Sequence, residues 1–371
     1  MARPAPSPLD DGDRVLVVRL GALGDVLRTL PAVRLLRQTF PAARIAWIAE
    51  DLSRPVLEGH TAVDDLIRFP LRELRESPGR LVSILRALRD DLRARRFDVA
   101  LDFQGSLKSG LVAWISGARR RVGFAPGHAR EWSHVLSTHW VRPADPRINR
   151  VEKALAIAEG VGARGEEIGV GLMEGGDDAA EAERILAGLA PGGRRVVILS
   201  PGTSELQRHK RWPPARYGAV AAALARSGAS VPVVFWGPGE EDLAAAAVAA
   251  SGGNAVLAPR TTLRVLAAVL RRAMLFIGGD TGPMHLAWAV GCPVVALFGP
   301  TDPRLNAPIG PAHVVLRAGR SMDRLDADDV ARAALAILRR RENNLHAPPT
   351  AARPAPMFPR HPLPLPVEPR T

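Results

Sequence analysis

The segment from Met274 to Pro303, MLFIGGDTGPMHLAWAVGCPVVALFGPTDP, constrains the fold of this chain more than any other stretch. Its apolar start, 274–277, predicts a buried strand, and a glycine-rich turn follows. Pro283 suits the first position of a helix, because the N–H that proline lacks would have no partner there. With a helix over 284–290 and a second strand over 294–298, the segment predicts a strand–helix–strand crossover, which is the unit of a parallel α/β sheet.

The turn in this segment, Asp280-Thr281-Gly282, predicts a ligand site. The first N–H groups of the following helix and the helix dipole favour an anion, and the glycines let that anion approach the backbone. Asp280 can accept hydrogen bonds from sugar hydroxyls. The alternative is that Asp280 or Thr281 only caps the helix, which explains one of these residues but not the glycines on both sides of them.

The size and charge of the chain limit its partners. Its 371 residues are too many for one ordinary core and indicate two domains. A net charge of +12 favours an anionic partner, namely nucleic acid, a membrane surface or a phosphorylated substrate. Because the chain has one tyrosine and no basic stretch interleaved with aromatic residues, we do not expect it to bind nucleic acid.

The motifs give no support to metal, cofactor or disulfide chemistry. The single cysteine, Cys292, cannot form an internal disulfide, and we interpret it as a core residue. There is no zinc-ligand spacing, no GxSxG elbow and no P-loop, so we expect neither a metal nor a cofactor. No apolar run has the length of a membrane span and the N-terminus lacks a signal-peptide core, which favours a cytoplasmic protein.

A second candidate site follows the first predicted strand, Arg14–Leu20. The next residues, GALGD, contain GxxG rather than the GxGxxG of dinucleotide-binding proteins, which argues against a nicotinamide enzyme. Asp25 lies where α/β sheets bind ligands, at the carboxyl edge of a parallel strand, and there it can act as a general base. A plain helix N-cap is an equally good interpretation, and a helix N-terminus weakens a carboxylate as a base.

Polar loops follow other predicted strands in the same way. Gln104 and Lys108 come after the strand 98–103. The loop after the strand 195–199 contains three candidate ligands of a phosphate, Thr203, Ser204 and Lys210. Lys210 is one of only three lysines in the chain. Surface charge is the alternative for it, but its rarity and its setting favour a contact with phosphate.

Three further residues lie near the same loops. Glu241 follows the strand 231–236 and can hold ribose hydroxyls, although an acid in the first turn of a helix is also ordinary helix chemistry. Thr261 precedes a predicted helix. His285 lies in the helix after the central turn, where packing explains it as well as ligand contact does.

The region from Leu71 to Phe97 is predicted to be helical and is rich in arginine, including Arg72 and Arg75. Leucines at helical spacing give it an apolar face. An arginine-rich surface beside such a face suits an anionic membrane or a phosphorylated acceptor. The alternative, which the pattern slightly favours, is a solvated helix whose leucines pack on the domain.

Five motifs in this order resemble glycosyltransferase family 9, the ADP-heptose:lipopolysaccharide heptosyltransferases: RLGALGDVLRTLPAVRLLR, FDVALDFQGSLKSG, KRWP, WGPGEE and GGDTGPMHLAWAVGCPVVALFGPTDP. The resemblance covers residues 14–340. It implies an α/β GT-B fold, in which two Rossmann-like parallel-sheet domains face each other across a cleft. It also implies inverting, metal-independent transfer of heptose from ADP-heptose to the inner core (Kdo or heptose) of lipopolysaccharide, on the cytoplasmic face of the inner membrane.

The resemblance also implies roles for particular residues. Asp25 matches the general base of the family. The donor site would comprise Thr203, Ser204, Lys210, Glu241, Thr261, Asp280, Thr281, Gly282 and His285. For the acceptor, a lipid A–Kdo or heptosylated core at the membrane surface, we expect contacts from Arg72, Arg75, Gln104 and Lys108.

The predicted organisation has five parts. Composition and pattern predict a disordered N-terminus (1–13), a C-terminal helix (326–342) and a disordered Pro-rich tail (346–371). Between them, the resemblance implies a Rossmann-like acceptor domain (14–175) and a Rossmann-like nucleotide-sugar donor domain (190–325).

Three other functions are compatible with these residues. A transferase of the same fold could use a different glycan or a protein as acceptor. A sugar-nucleotide epimerase of the same architecture would act on the donor alone. A binding protein could have kept the nucleotide site and lost transfer, but the joint presence of Asp25, Lys210 and Asp280 argues against it.

Overall fold

The computed structural model describes residues 3–165, 169–228 and 230–345. The chain divides into two compact units, residues 1–173 and 174–371. The sequence predicts a broken helix over 177–189 near the boundary between the domains, and the structure places a continuous helix, Gly176–Leu189, inside the second unit. Its buried Ala182 and Ile185 show why: this acidic, glycine-flanked stretch has an apolar face that packs on the second unit.

The first unit is built on six parallel strands. They run in the spatial order β3-β2-β1-β4-β5-β6. Their bounds are β1 Arg14–Val18, β2 Arg44–Glu50, β3 Asp65–Phe69, β4 Val99–Asp102, β5 Arg120–Phe124 and β6 His139–Val141. β1 and β4 are buried along almost their whole length, as apolar strands of a sheet covered on both faces must be.

Five α-helices cover this sheet. They are α1 Leu23–Thr39, α2 Leu71–Glu76, α3 Leu81–Ala94, α4 Leu107–Ile115 and α5 Arg150–Gly160. Apolar residues of α2, α3 and α4 share one core cluster with the strands, so these three helices lie on the same face. α1 packs against α5 and continues through Pro31 without interruption.

The second unit repeats the same plan. Its strands are β7 Val196–Ser200, β8 Val231–Val234, β9 Val256–Leu257, β10 Leu275–Gly279, β11 Val294–Phe298 and β12 Val314–Arg317. Its helices are α6 Gly176–Leu189, α7 Pro214–Arg226, α8 Glu241–Ala250, α9 Leu263–Arg272, α10 Gly282–Ala289, α11 Pro303–Asn306 and α12 Ala327–Leu345. All strand pairs are parallel, in the order β12-β11-β10-β7-β8-β9.

Both sheets therefore have the strand order of a Rossmann domain. In each, the first strand of the unit lies at the centre and the order reverses beside it, between β1 and β4 in the first unit and between β7 and β10 in the second. In such sheets the loops at the carboxyl ends of the two central strands diverge and leave a crevice, which is where ligands bind. The strand order thus marks one candidate site in each unit.

The leading segment differs from its predicted disorder in the part that the structure describes. Leu9 is buried, and its amide donates to the carbonyl of Val161 at 2.9 Å. Trp140 donates to the carbonyl of Pro4, and Arg120 to that of Pro8. Prolines leave a segment few N–H donors, but its carbonyls can still accept. The predicted Pro-rich tail, 346–371, lies outside the described residues.

The C-terminal helix, α12, is longer than predicted and runs from Ala327 to Leu345. Its apolar side, including Val330, Ala334 and Leu338, belongs to the core of the second unit. Among the described residues, none of the helices combines the length and apolar character that a bilayer span requires.

Candidate active site

In the first unit, Asp25 lies at the crevice between β1 and β4. It occupies the first turn of α1, where Ala22 is the N-cap and no side chain caps the helix. The N-cap interpretation is therefore wrong for Asp25. Its two carboxylate oxygens instead face Arg19 Nη2 at 2.7 Å and Arg28 Nη2 at 2.6 Å. Both carboxylate oxygens therefore form ion pairs with guanidinium groups.

The two arginines are themselves fixed by backbone oxygens. Arg19 Nη1 donates to the carbonyl of Phe103, just after β4, at 2.7 Å. Arg28 Nε donates to the carbonyl of Gly24 at 3.1 Å. Both guanidinium side chains are 9% exposed, whereas that of Asp25 is 29% exposed. A partly exposed carboxylate is thus held in a fixed orientation by two buried guanidinium groups.

Gln104 is brought to the same small cavity as Asp25, as the sequence predicts. The cavity is also lined by Thr29, Arg150 and Lys153. Gln104 is held in place because its Oε1 accepts the amide of Leu20 at 3.1 Å, and its Nε2 donates to Ser106. The loop after β4 therefore faces the loop after β1, as the strand order requires.

Two cations at this cavity, Arg150 and Lys153, were not predicted as site residues. They lie on α5, whose periodicity indicates only packing. Lys153 Nζ donates to the carbonyl of His128 at 2.6 Å and lies 4.3 Å from the centre of the Phe124 ring. Burial, followed by the charge of Arg150, lowers the pKa of Lys153 to about 8. The rarity of lysine in this chain is the one sequence signal that marks it.

The pKa of Lys153 predicts a pH-dependent stability. Unfolding returns this pKa from about 8 to its ordinary value of 10.5, so the unfolded chain binds more protons between these values. The contribution of Lys153 to the free energy of unfolding should therefore increase as the pH is raised from about 8 to 10.5. We expect Lys153→Met to remove this rise in urea unfolding, and Lys108→Met, at a half-exposed lysine, to keep it. An identical pH slope in wild type and Lys153→Met would contradict the assignment.

The other predicted acceptor residues do not join this cavity within the described structure. Lys108 pairs with Glu50 at 2.8 Å and lies over Phe69. Arg72 is exposed and pairs with Glu76 along its own helix, and Arg75 is exposed. In α3, Leu88 and Leu92 are buried in the core. Leu81 and Val82 are 44% and 66% exposed, so the packing supports the solvated-helix alternative in the second half of α3 and not at its start.

In the second unit, Asp280 is the centre of the crevice between β7 and β10. Its side chain is 5% exposed. One oxygen lies 3.2 Å from His285 Nε2. The other accepts from Asn306 Nδ2 at 3.0 Å and lies 3.5 Å from Lys210 Nζ. The structure thus gathers three of the predicted donor residues, Lys210, Asp280 and His285, and adds Asn306, which the sequence did not indicate.

The start of α10 faces this group. Thr281 is in the N-cap position, but its side chain makes no capping bond and only approaches the carbonyl of Gly279 at 3.4 Å. Thr281 is thus the N-cap residue by position, as the capping alternative allows, but its side chain does not cap the helix. Gly282 and Pro283 begin the helix, so the site combines a helix N-terminus with the ammonium group of Lys210. This is a suitable environment for a phosphate.

The loop after β7 is held by an arginine that the sequence did not single out. Arg211 donates from Nε to Thr203 Oγ1 at 3.1 Å and from Nη2 to the Thr203 carbonyl at 2.8 Å. Thr203 is buried, whereas Ser204 is exposed. Trp212 anchors the end of the loop, since its ring is buried and its Nε1 donates to the carbonyl of Leu325.

Of Glu240 and Glu241, it is Glu240 whose carboxylate approaches this loop. Glu240 accepts the amide of Gly237 at 2.9 Å, and a Cβ at Gly202 would lie 2.0 Å from its Oε2. Only glycine at position 202 allows this approach. Glu241 is exposed in the first turn of α8, and Thr261 is half-buried just before α9. Both acids follow β8, at the carboxyl edge of the sheet.

Asn306 allows a test of the Asp280 group. A hydrogen bond to a charged group contributes about 1.5–3 kcal/mol. Because Asp280 is buried, we expect Asn306→Ala to lower the free energy of unfolding by about that amount in urea titrations. The matched control is Asn343→Ala, at an exposed position of α12, which should change it by no more than about 0.5 kcal/mol. Equal effects of the two substitutions would show that the amide does not stabilise Asp280.

Two Rossmann-like units, each with polar and charged side chains at the crevice of its sheet, define an α/β protein of the GT-B type, a fold of glycosyltransferases that use nucleotide-sugar donors. A family model described as glycosyltransferase family 9 (heptosyltransferase) matches residues 85–332. The chain belongs to this family.

Similar proteins agree with this membership. Lipopolysaccharide heptosyltransferase 1 of Pseudomonas aeruginosa is 30% identical over 311 residues, which span 82% of this chain and 83% of that protein. The protein of the same name from Escherichia coli K12 is 26% identical and spans 83% and 94%. The structure of E. coli heptosyltransferase WaaC with ADP superposes with a TM-score of 0.73 at 26% identity, covering 87% of this chain and 99% of the other.

Proposed function

We propose that this chain transfers heptose from ADP-heptose to the inner core of lipopolysaccharide, with inversion and without a metal. The observation that carries the proposal is the pair of crevices, one holding Asp25 and the other holding Asp280 with Lys210. The names of the relatives point the same way, since they are lipopolysaccharide heptosyltransferases. One solved relative is described as WaaC with ADP-2-deoxy-2-fluoro heptose, at 26% identity.

The second unit would bind the donor. Lys210 and the N-terminus of α10 at Thr281 and Gly282 would hold the diphosphate and stabilise its charge as it leaves the sugar. Asp280 would accept hydrogen bonds from the heptose hydroxyls, and His285 would donate a hydrogen bond to them. The remaining donor contacts of the proposal are Thr203 and Ser204 beside the diphosphate, Glu241 or Glu240 at the ribose, and Thr261 near the adenine.

The first unit would bind and activate the acceptor. Asp25 would take the proton of an acceptor hydroxyl while that oxygen attacks the anomeric carbon from the face opposite ADP. The new bond joins the acceptor oxygen to the anomeric carbon, and the bond from that carbon to the phosphate oxygen breaks, so the configuration inverts. Arg150 and Lys153 would attract an acceptor that carries carboxylates, such as a Kdo-terminated core. Gln104 would contact the same sugar.

The location of this acceptor completes the proposal. A lipid A–Kdo or heptosylated core is anchored in a bilayer, so the enzyme would act as a peripheral protein on the cytoplasmic face of the inner membrane. Arg72, Arg75 and Lys108 would then serve as contacts on the acceptor side. Because they do not line the cavity of Asp25, we assign them to parts of the acceptor other than the reacting sugar.

A direct assay tests the proposal. The purified chain is incubated with ADP-heptose and a panel of Kdo- and heptose-terminated lipid A acceptors, and ADP release and product mass are measured. We expect ADP release only when an acceptor is present, with a product heavier by one heptose. Transfer only to another glycan or to a protein would support the alternative transferase, and conversion of ADP-heptose without an acceptor would support an epimerase.

A further inference from the structure

One helix of the first unit has apolar residues on both of its faces. On α4, Val112, Ala113 and Ile115 are buried in the core. The opposite side presents Leu107, Leu111 and Trp114, which are 50%, 37% and 52% exposed. Their spacing of four and three residues places them in a single row along the helix. A helix that is apolar on its outer face as well needs a second apolar environment.

A neighbouring segment widens this row into a surface. The short 3-10 helix 133–136 packs on α4, because a Cβ at Gly110 would lie only 3.2 Å from the side chain of Leu136. Glu131 also accepts the amide of Leu107 at 3.1 Å. These contacts place two more exposed side chains, Trp132 at 76% and Val135 at 53%, beside the row. We call Leu107, Leu111, Trp114, Trp132 and Val135 the α4 apolar surface.

A cationic cavity lies at the far end of α4. Ser116 and Gly117, just after this helix, line a cavity of about 660 Å³. Three arginines, Arg93, Arg96 and Arg119, and one acid, Asp98, also line it. Arg93 is fixed there by its bond to the carbonyl of Ile115. In the described structure no ion pair joins Asp98 to these arginines. Apolar side chains beside several guanidinium groups match the interfacial layer of a membrane, where tryptophan is enriched and anionic head groups attract arginine.

We propose that the α4 apolar surface docks on an anionic lipid bilayer, with the arginine cavity taking up lipid head groups. The charge of the cavity argues for this occupant over an apolar protein partner. The α4 apolar surface begins near the cavity of Asp25. Its first residue, Leu107, is three positions after Gln104, which lines that cavity. A bilayer docked there would present a membrane-anchored acceptor to the general base, and this last step rests on the proposed function.

Vesicle binding tests the surface without any sugar chemistry. Full-length protein is sedimented with vesicles of phosphatidylcholine alone or with phosphatidylglycerol, with neither donor nor acceptor present. We expect binding to the anionic vesicles only. The double substitution Trp114→Ser/Trp132→Ser should weaken it at least about tenfold, because it removes two exposed aromatic side chains that the bilayer would bury. Trp114→Phe/Trp132→Phe should restore most of it, and Arg93→Gln/Arg119→Gln should reduce the preference for phosphatidylglycerol.

Matched controls distinguish binding by this surface from nonspecific hydrophobic adsorption. Leu52→Ser and Met173→Ser remove apolar side chains that are 70% and 56% exposed elsewhere in the first unit, and both should bind vesicles like wild type. Equal binding by wild type and Trp114→Ser/Trp132→Ser would overturn the proposal. So would a dimer that this double substitution dissociates in sedimentation equilibrium, with no vesicle binding in wild type.

A second assay distinguishes this inference from the proposed function. Transfer to a deacylated, water-soluble acceptor needs no membrane, so the tryptophan variant should keep the wild-type rate there and lose rate only with vesicle-embedded acceptor. Vesicle binding without any transfer would refute the proposed function and leave the surface intact. Equal loss of rate on both acceptors would show that the substitutions act on the site and not on docking.

Discussion

Replacement of Asp25 by asparagine should lower kcat by about 10²–10⁴-fold, the usual contribution of a general base. Asparagine keeps the size of the side chain and one oxygen that can accept from Arg19 or Arg28, but it cannot take the proton of an acceptor hydroxyl. The affinity for ADP should not change, because the proposed diphosphate contacts are in the second unit. Turnover is measured by ADP release with excess acceptor, and ADP affinity by calorimetry.

Two controls make the Asp25 result interpretable. Because Arg19 and Arg28 are buried, the thermal midpoint of Asp25→Asn is measured to show that the fold survives. Asp328→Asn changes another acid in the first turn of a helix, at an exposed position of α12, and should leave turnover unchanged. A folded Asp25→Asn protein with wild-type turnover would remove Asp25 from the mechanism.

Replacement of Lys210 by alanine should weaken donor binding and slow transfer together. A charge-assisted hydrogen bond contributes about 1.5–3 kcal/mol, which corresponds to a loss of about 10- to 100-fold in affinity for ADP. Loss of a preorganised donor to a leaving group typically lowers kcat by about 10²–10³-fold. The first effect is measured by titration with ADP, and the second by single-turnover transfer of heptose.

The neighbouring Arg208 provides the matched control for Lys210. It lies in the same 3-10 helix, 205–210, and is exposed. Arg208→Ala removes a positive charge from the same loop and should change ADP affinity by less than about threefold, as expected for an exposed charge screened by solvent. Equal losses in the two variants would indicate a general field effect, and normal ADP affinity in Lys210→Ala would exclude the phosphate contact.

Local pattern was enough to predict the elements that frame the sites. The helix Leu263–Arg272 and the strand Val294–Phe298 have the same bounds in the sequence prediction and in the structure. Both have clear signals, an amphipathic period in the first and an apolar run after a proline in the second. The sequence indicates Asp25, Lys210 and Asp280 because each follows a predicted strand. The carboxyl ends of parallel strands lie at one edge of the sheet, where ligands bind.

The partners of those residues could not be predicted, because tertiary contacts create them. Asn306 reaches Asp280 only because the chain returns after β11, 26 positions further on. In the sequence, Arg19 is an ordinary polar residue at the end of a strand. Its role becomes visible only in the fold, where it donates to the carbonyl of Phe103. The exposed row on α4 has the same spacing as a core stripe, and only the packing shows that the core takes the other face.

The repeated strand order has a practical consequence for engineering. Both sheets place proposed site residues after their two central strands, so specificity can first be varied in four short segments of the chain. Libraries in the loops after β1 and β4 would alter the choice of alcohol, and libraries in the loops after β7 and β10 would alter the choice of activated sugar. The two libraries can be selected separately, and the selected loop sequences can then be combined in one gene.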